Sequence, residues 1–148
     1  MFNSSFSAID ISASGLSAER YRMEVIANNI ANANSTRTPE GGPYRRQQVV
    51  FATQQANLLA ATSDNPTDRM QGVSVVGVQQ DPSALQMVFN PGHPDADAEG
   101  MVAMPNVRIP YEMVDMITAS RSYEANLRSI RSFRQMIQQT LTLLRGQS

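Results

Sequence analysis

The run His93-Pro94-Asp95-Ala96-Asp97-Ala98-Glu99-Gly100 is where side chains able to do chemistry crowd most closely in this chain. Carboxylates at that density suggest a cation loop, and Asp95 with Asp97 suggests an acid and a base for hydrolysis. The spacing supports neither. A calcium loop of the EF-hand kind runs Asp-x-Asp-x-Asp-Gly with a glutamate at its twelfth position, and the final ligand is missing here. Acid–base work requires environments that push two carboxyl pKa values apart, which neighbours in an exposed, Pro-flanked turn do not provide. His93 is the only histidine, and no nucleophile motif flanks it. Gly41-Gly42 has no lysine to complete a phosphate loop, because the chain contains none. With no cysteine either, disulfides, thiolate nucleophiles and Cys-ligated zinc are excluded together. No catalytic residue, metal ligand set or cofactor site is therefore expected, and a small hydrolase using Asp95 or Asp97 is the weakest reading.

Composition turns attention from chemistry to surfaces. The 148 residues are 41% hydrophobic but only 17% charged, against about a quarter charged in an average domain. Such a surface suits burial against neighbours. Twelve arginines face thirteen acids, a formal net charge of -1 that argues against nucleic acid as a partner. No small-molecule substrate is indicated. Charge is nonetheless segregated: residues 1–34, 35–107 and 108–148 carry -1, -3 and +3. Met1 to Phe6 offers neither a basic n-region nor an apolar h-region, so any export is expected to proceed without a cleaved signal peptide.

Periodicity supplies the elements. Phe2, Phe6, Ile9, Ala13, Leu16, Arg20, Met23, Ala27 and Ile30 alternate spacings of four and three, which predicts a helix from about Ser5 to Asn32 with a heptad seam broken by Arg20. Asn3, Ser4 or Ser5 is the expected N-cap. The close, Asn28-Asn29-Ile30-Ala31-Asn32-Ala33-Asn34, favours a helix end because its side chains compete for the backbone. Met113, Met116, Ser120, Tyr123, Leu127, Ile130, Arg134, Ile137, Leu141 and Leu144 repeat the pattern. Pro110 and Glu112 suit that helix's first turn, and Arg145 with Gly146 its end. Between them, residues 33–46 read as a loop and Gln47–Phe51, Gly72–Val78 and Leu85–Phe89 as short strands, with Gly100–Ala103 extended. Residues 52–71 read as loop.

These elements predict an α+β, mainly α fold: long N- and C-terminal helices forming a coiled-coil-like hairpin around a small β-rich middle. The corresponding divisions are residues 1–34, 35–107 and 108–148. One helix cannot bury its own stripe, so Phe6, Ile9, Leu16, Met23, Ile26, Ile30, Met113, Met116, Leu127, Ile130, Ile137, Leu141 and Leu144 are candidate assembly residues. Arg20 and Arg134 join them as seam interruptions, each expected to need a carboxylate partner. An antiparallel register with residue numbers adding to about 144 would set Arg20 beside Glu124, Arg134 beside Asp10, Ile30 near Val114 and Phe6 near Gln138. Arg121, Arg128, Arg131 and Arg134 lack interleaved aromatics and read as a solvated or protein-binding helix face. A soluble helical adaptor that binds a partner helix is the second reading of the same stripes.

The motifs decide between assembly and adaptor. Ser14-Gly15-Leu16-Ser17-Ala18-Glu19-Arg20, leading to Ala27-Asn28-Asn29-Ile30-Ala31-Asn32-Ala33-Asn34-Ser35, resembles the N-terminal signature of flagellar rod and hook proteins. Pro43-Tyr44-Arg45-Arg46, the run from Asn90 to Gly100, and Met104-Pro105-Asn106-Val107 resemble the rod side of that family. Glu112-Met113-Val114 and Ser120-Arg121-Ser122-Tyr123-Glu124-Ala125-Asn126 are similar to a segment shared by rod and hook relatives. The resemblance covers nearly the whole chain except residues 52–71, and the short middle separates it from the larger hook and distal-rod relatives. It implies a structural subunit exported by the flagellar type III apparatus into the periplasm-spanning rod, with other rod proteins and copies of itself as partners. It also adds Asn28, Asn29, Asn32, Tyr123, Glu124 and Asn126 to the assembly candidates, and makes Phe6 and Ile9 candidates for the export signal.

Overall fold

The computed structural model describes the backbone of residues 2–55 and 70–145, and the side-chain environments of residues 8–53 and 72–144. Six elements follow in order: α1 (Phe2–Ala31), β1 (Gln47–Gln55), β2 (Met70–Gln80), β3 (Gln86–Phe89), β4 (Met101–Met104) and α2 (Ile109–Arg145). Two long helices flank a small β-rich middle made of two two-stranded sheets, β1 with β2 and β3 with β4. Much of the expected loop at 52–71 falls on residues 56–69, outside the described residues, as do Gly146 and the side chain of Phe6. The described flanks of that stretch, up to Gln55 and from Met70, are strand rather than loop.

The α1 helix begins at Phe2, so Asn3, Ser4 and Ser5 lie within it and none is its N-cap. Its end follows the asparagines. Asn32 Nδ2 donates to both the carbonyl and the Oδ1 of Asn28 at 2.9 Å, and Ser35 Oγ donates to Asn32 Oδ1 at 3.1 Å. The Asn28 carbonyl also accepts the Asn32 backbone N–H at 3.1 Å, so the side-chain bonds add to the last helical one and fix the turn that follows. The α2 helix has Pro110 and Glu112 in its first turn, where the missing proline N–H costs no hydrogen bond.

The chain folds as two compact units: Met1–Arg20, Phe51–Val76 and Ala119–Ser148 in one, Tyr21–Val50 and Gly77–Thr118 in the other. In the first, close approach depends on glycine. A Cβ on Gly15 would lie 2.8 Å from Asn126 Nδ2, and one on Gly72, where φ is +100°, would lie 2.2 Å from Ser14 Oγ. That hydroxyl is fixed by donating to the Ile11 carbonyl at 2.7 Å and accepting from the Val73 N–H at 3.1 Å. Ala18 and Ala119 are buried in the same unit. In the second unit, Ala33, Tyr44 and Val107 form an apolar cluster, and Val25, Ile26 and Val102 are also buried. The β3 and β4 strands pair antiparallel, from Gln86 opposite Met104 to Phe89 opposite Met101.

Burial departs from the predicted seams. Along α1, Ala13, Arg20 and Ala27 are exposed, while the buried positions are Ala18, Val25, Ile26 and Asn29. The packed face of α1 is thus rotated partly off the predicted row, with Ile9, Leu16, Met23 and Ile30 of that row at its half-buried border. Along α2, Met116, Tyr123, Leu127, Ile130 and Ile137 are half-buried as expected, but Met113, Arg134, Leu141 and Leu144 are exposed and Phe133 turns inward instead of Arg134. Arg20 and Arg134 are therefore at exposed positions rather than in a closed seam. Glu124 is 3.5 Å from Arg128 of its own helix. The register is corrected as well: Asn29 meets Glu112 in one unit and Gly15 meets Asn126 in the other, pairs whose numbers add to 141 rather than 144.

Candidate functional site

The second unit is organised around one asparagine. Asn29 sits two residues before the end of α1, fully buried, with all its amide valences used. Its Nδ2 donates to the Gln47 carbonyl and to Glu112 Oε2, both at 2.9 Å. Its Oδ1 accepts from the Gln47 N–H at 2.9 Å and from the Tyr44 hydroxyl at 2.8 Å. Toward Gln47 the side-chain amide thus behaves like a neighbouring strand, donating and accepting at the first residue of β1. An amide is the side chain able to do both at once.

Glu112, completely buried in the first turn of α2, joins this amide to a cluster of charges. Its Oε2 takes the Asn29 amide, and its Oε1 takes Arg46 Nε in a short charge-assisted bond. The rest of the Arg46 guanidinium reaches Asp115 Oδ2 at 3.1 Å and Asp81 Oδ2 at 3.6 Å. Burial opposes the charge on Arg46, but the Glu112 hydrogen bond and the charges of Glu112, Asp115 and Asp81 outweigh it and raise its pKa. Asp81 is held below the usual carboxylate range, first by the Ser83 N–H at 2.9 Å, then by the Ser83 side chain and Arg46. Burial, and then the Glu112 charge, push the Tyr44 phenol upward. Asn106 completes the arrangement, accepting from the Arg46 N–H at 2.7 Å and donating to Ser83 Oγ at 2.9 Å and the Asp81 carbonyl at 3.2 Å. A groove of about 740 Å³ runs beside it, lined in part by Arg46, Asp81, Asn106, Arg108, Glu112 and Asp115.

The arrangement acts as a fastening: most of its polar atoms meet a partner in another element of the same unit. The end of α1, the 33–46 loop, β1, the end of β2 and the start of α2 are tied together. The acidic turn is equally occupied. Asp95 Oδ2 accepts from the Thr36 hydroxyl at 2.8 Å, Asp95 Oδ1 lies 3.1 Å from Arg37, and His93 Nδ1 accepts the Asp95 N–H at 3.1 Å. Asp97 Oδ1 accepts the N–H groups of Glu99 and Met101 at 3.0 and 2.8 Å, closing the turn between β3 and β4. Among the described residues no three His, Cys, Asp or Glu side chains gather to hold a metal.

Of the residues singled out from sequence, Asn29 is the hub, Asn28 and Asn32 shape the end of α1, Ile26 is buried, and Asn126 meets Gly15. Ile9, Leu16, Met23 and Ile30 are half-buried. Tyr44, Arg46, Asp81, Asn106, Glu112 and Asp115 are not among the site candidates. Four of them lie in the motifs Pro43-Tyr44-Arg45-Arg46, Met104-Pro105-Asn106-Val107 and Glu112-Met113-Val114, which is the signal that points to them.

Comparison with known proteins follows the same map. Residues 9–37 match the family described as flagella basal body rod protein, and residues 98–143 match the C-terminal family of the flagellar basal body rod FlgEFG proteins. The first span contains Asn29 and the second Asn106 and Glu112. The flagellar basal-body rod protein FlgC of Borreliella burgdorferi is 44% identical over 95% of this chain and 98% of its own length. That of Yersinia enterocolitica is 45% identical over 90% and 93%, and that of Bacillus subtilis 35% identical over 93% and 97%. With such identity sustained over almost the full length of relatives from distant bacteria, the chain belongs to the FlgC family of flagellar basal-body rod proteins.

Proposed function

We propose that the chain is a structural subunit of the flagellar basal-body rod, assembling through its terminal helices, paired as a coiled-coil-like hairpin, into a shaft that spans the periplasm. The observation that carries this reading is the apolar surface α2 leaves in water: Val114 is 62% exposed, Ile117 53%, Leu143 74% and Leu144 59%. A helix with that much uncovered apolar area is built to be covered by something else. In this reading Met113, Leu141 and Leu144 are contact points between subunits rather than within one. The terminal helices reach their full stability on assembly, since an isolated amphipathic helix is marginal. The partners are other rod proteins and copies of the same chain, reached after export by the flagellar type III apparatus. No catalytic step is assigned.

The test is an in-frame deletion of the gene, complemented in trans. Loss of swimming together with basal bodies that lack a rod by electron microscopy is the expected result. Normal basal bodies in the deletion strain would overturn the reading.

A further inference from the structure

The β3–β4 hairpin carries a surface that its own unit does not cover. All four β3 residues are exposed, with Met87 at 52%, Val88 at 46% and Phe89 at 68%. The connection to β4 adds Asp97 and Glu99, both at exposed positions. The Phe89 ring lies at the foot of this acidic turn, its Cε2 3.0 Å from where a Gly100 Cβ would stand. The acids there are not equivalent. Asp95 is matched by Arg37, and Asp97 gives one oxygen to two backbone N–H groups. The Glu99 carboxylate makes no hydrogen bond or ion pair among the described residues.

The complementary surface is on α2 beyond Thr118. Arg121, Arg128, Arg131 and Arg134 are all exposed there against a single acid, Glu124, which is paired with Arg128. At 3.6 residues per turn, Arg121, Arg128 and Arg131 fall within a sector of about 80°. On the same reckoning Leu143, 74% exposed, and Met136, 50% exposed, lie about 40° and 60° to one side of that sector. One surface is acidic and apolar, the other basic and apolar, matching the -3 of residues 35–107 and the +3 of residues 108–148.

We propose that these surfaces meet between copies: the β3–β4 hairpin of one copy docks on the arginine-bearing stretch of α2 of the next, with Glu99 facing the Arg121, Arg128 and Arg131 stripe. The two faces are different, so the contact is head-to-tail and adds copies in one direction unless its rotation closes. The inference rests on the rod-subunit reading and adds which faces meet. An Arg–carboxylate contact supplies direction, and Phe89 with Met87 supplies the apolar area.

The absence of cysteine makes the test direct. Full-length chains carrying Glu99→Cys are mixed with chains carrying Arg121→Cys, Arg128→Cys, Arg131→Cys or Arg134→Cys under mild oxidation. A dominant 99-to-α2 disulfide between copies is expected for at least one of the first three. A mixture yielding only the 99-to-99 and α2-to-α2 dimers, or none, overturns the proposal. In cells, Glu99→Arg and Arg131→Glu should each impair swimming and restore one another when combined. Impairment without mutual rescue overturns the contact, because Glu99 then faces another rod protein. A motility-defective deletion strain alongside absent cross-links would remove the contact while leaving the rod-subunit reading standing.

Discussion

The fastening around Asn29 and the far end of α2 use polar and apolar groups in opposite ways. Around Asn29, polar atoms are buried and answered: the Glu112 carboxylate meets Asn29 and Arg46, and Arg46 meets two further carboxylates. Toward the end of α2, apolar side chains are left in water, with Leu143 and Leu144 more than half exposed. A polar interior with matched partners specifies one geometry within a chain, whereas an uncovered apolar helix awaits a partner outside it. The difference predicts that mutations in the first region damage the isolated subunit, and those in the second damage only the assembly.

The largest effect should come from Glu112→Ala, which leaves Arg46 and the Asn29 amide without their buried partner. Breaking a buried pair from one side costs about 3–5 kcal/mol, seen as a lowered denaturant midpoint of the purified chain. A loss below about 1 kcal/mol would mean that water replaces the carboxylate and that this interior is not closed. Asn29→Ala should follow, at about 1–3 kcal/mol for a buried partner left unsatisfied, by the same measurement. Gly72→Ala tests the first unit: at φ +100° and with Ser14 Oγ only 2.2 Å from the new Cβ, it should lose about 1–3 kcal/mol through strain.

Stability of the fastened unit should also fall at both ends of the pH range. Asp81 has a lowered pKa, so its contribution is complete above the unfolded value near 3.9 and is lost as pH falls through the folded value. Tyr44 has a raised pKa, so its contribution is complete below the unfolded value near 10 and is lost as pH rises through the folded one. Denaturant midpoints against pH should show both arms. Asp81→Asn should flatten the acid arm and Tyr44→Phe the alkaline arm, and an unchanged arm would remove that residue as its cause. The smallest effect on the subunit is expected at Leu143→Ser, within about 0.5 kcal/mol of the parent, although swimming on soft agar should fail. Arg20→Met, at an exposed position, should cost no more than about 1 kcal/mol. A strongly destabilised Leu143→Ser subunit would erase the distinction between the regions.

Sequence periodicity is enough to place both helices and three strands, with the fourth read only as an extended segment, because spacing in a helix or strand is a local property. It misplaced part of the packed face of α1, since a row spaced by four and three includes Ala13, Arg20 and Ala27 whereas the buried positions are Ala18, Val25, Ile26 and Asn29. The fastening was harder to see because its members are far apart: Asn29 reaches Tyr44 over 15 residues, Arg46 over 66 to Glu112, and Asn29 over 83 to the same carboxylate. Asn29 stood among the candidates through its motif alone. Glu112 was read as a favourable first-turn acid, which is true of its helix position and silent about Arg46. The exposure of Arg20 and Arg134 was illegible for the same reason, since a heptad names a row of residues without fixing its rotation.

The saturation of the Asn29 amide also bears on chemical ageing. Spontaneous hydrolysis converts an asparagine amide to a carboxylate with almost no change of shape, which most surface sites tolerate. At Asn29 that conversion would exchange the two donors that hold Gln47 and Glu112 for acceptor-only oxygens, and set a second negative charge 2.9 Å from a buried first one. Asn29 is 0% exposed within its own unit, so the fold itself keeps water from the amide, and the group whose hydrolysis would do the most damage is also the one least open to it.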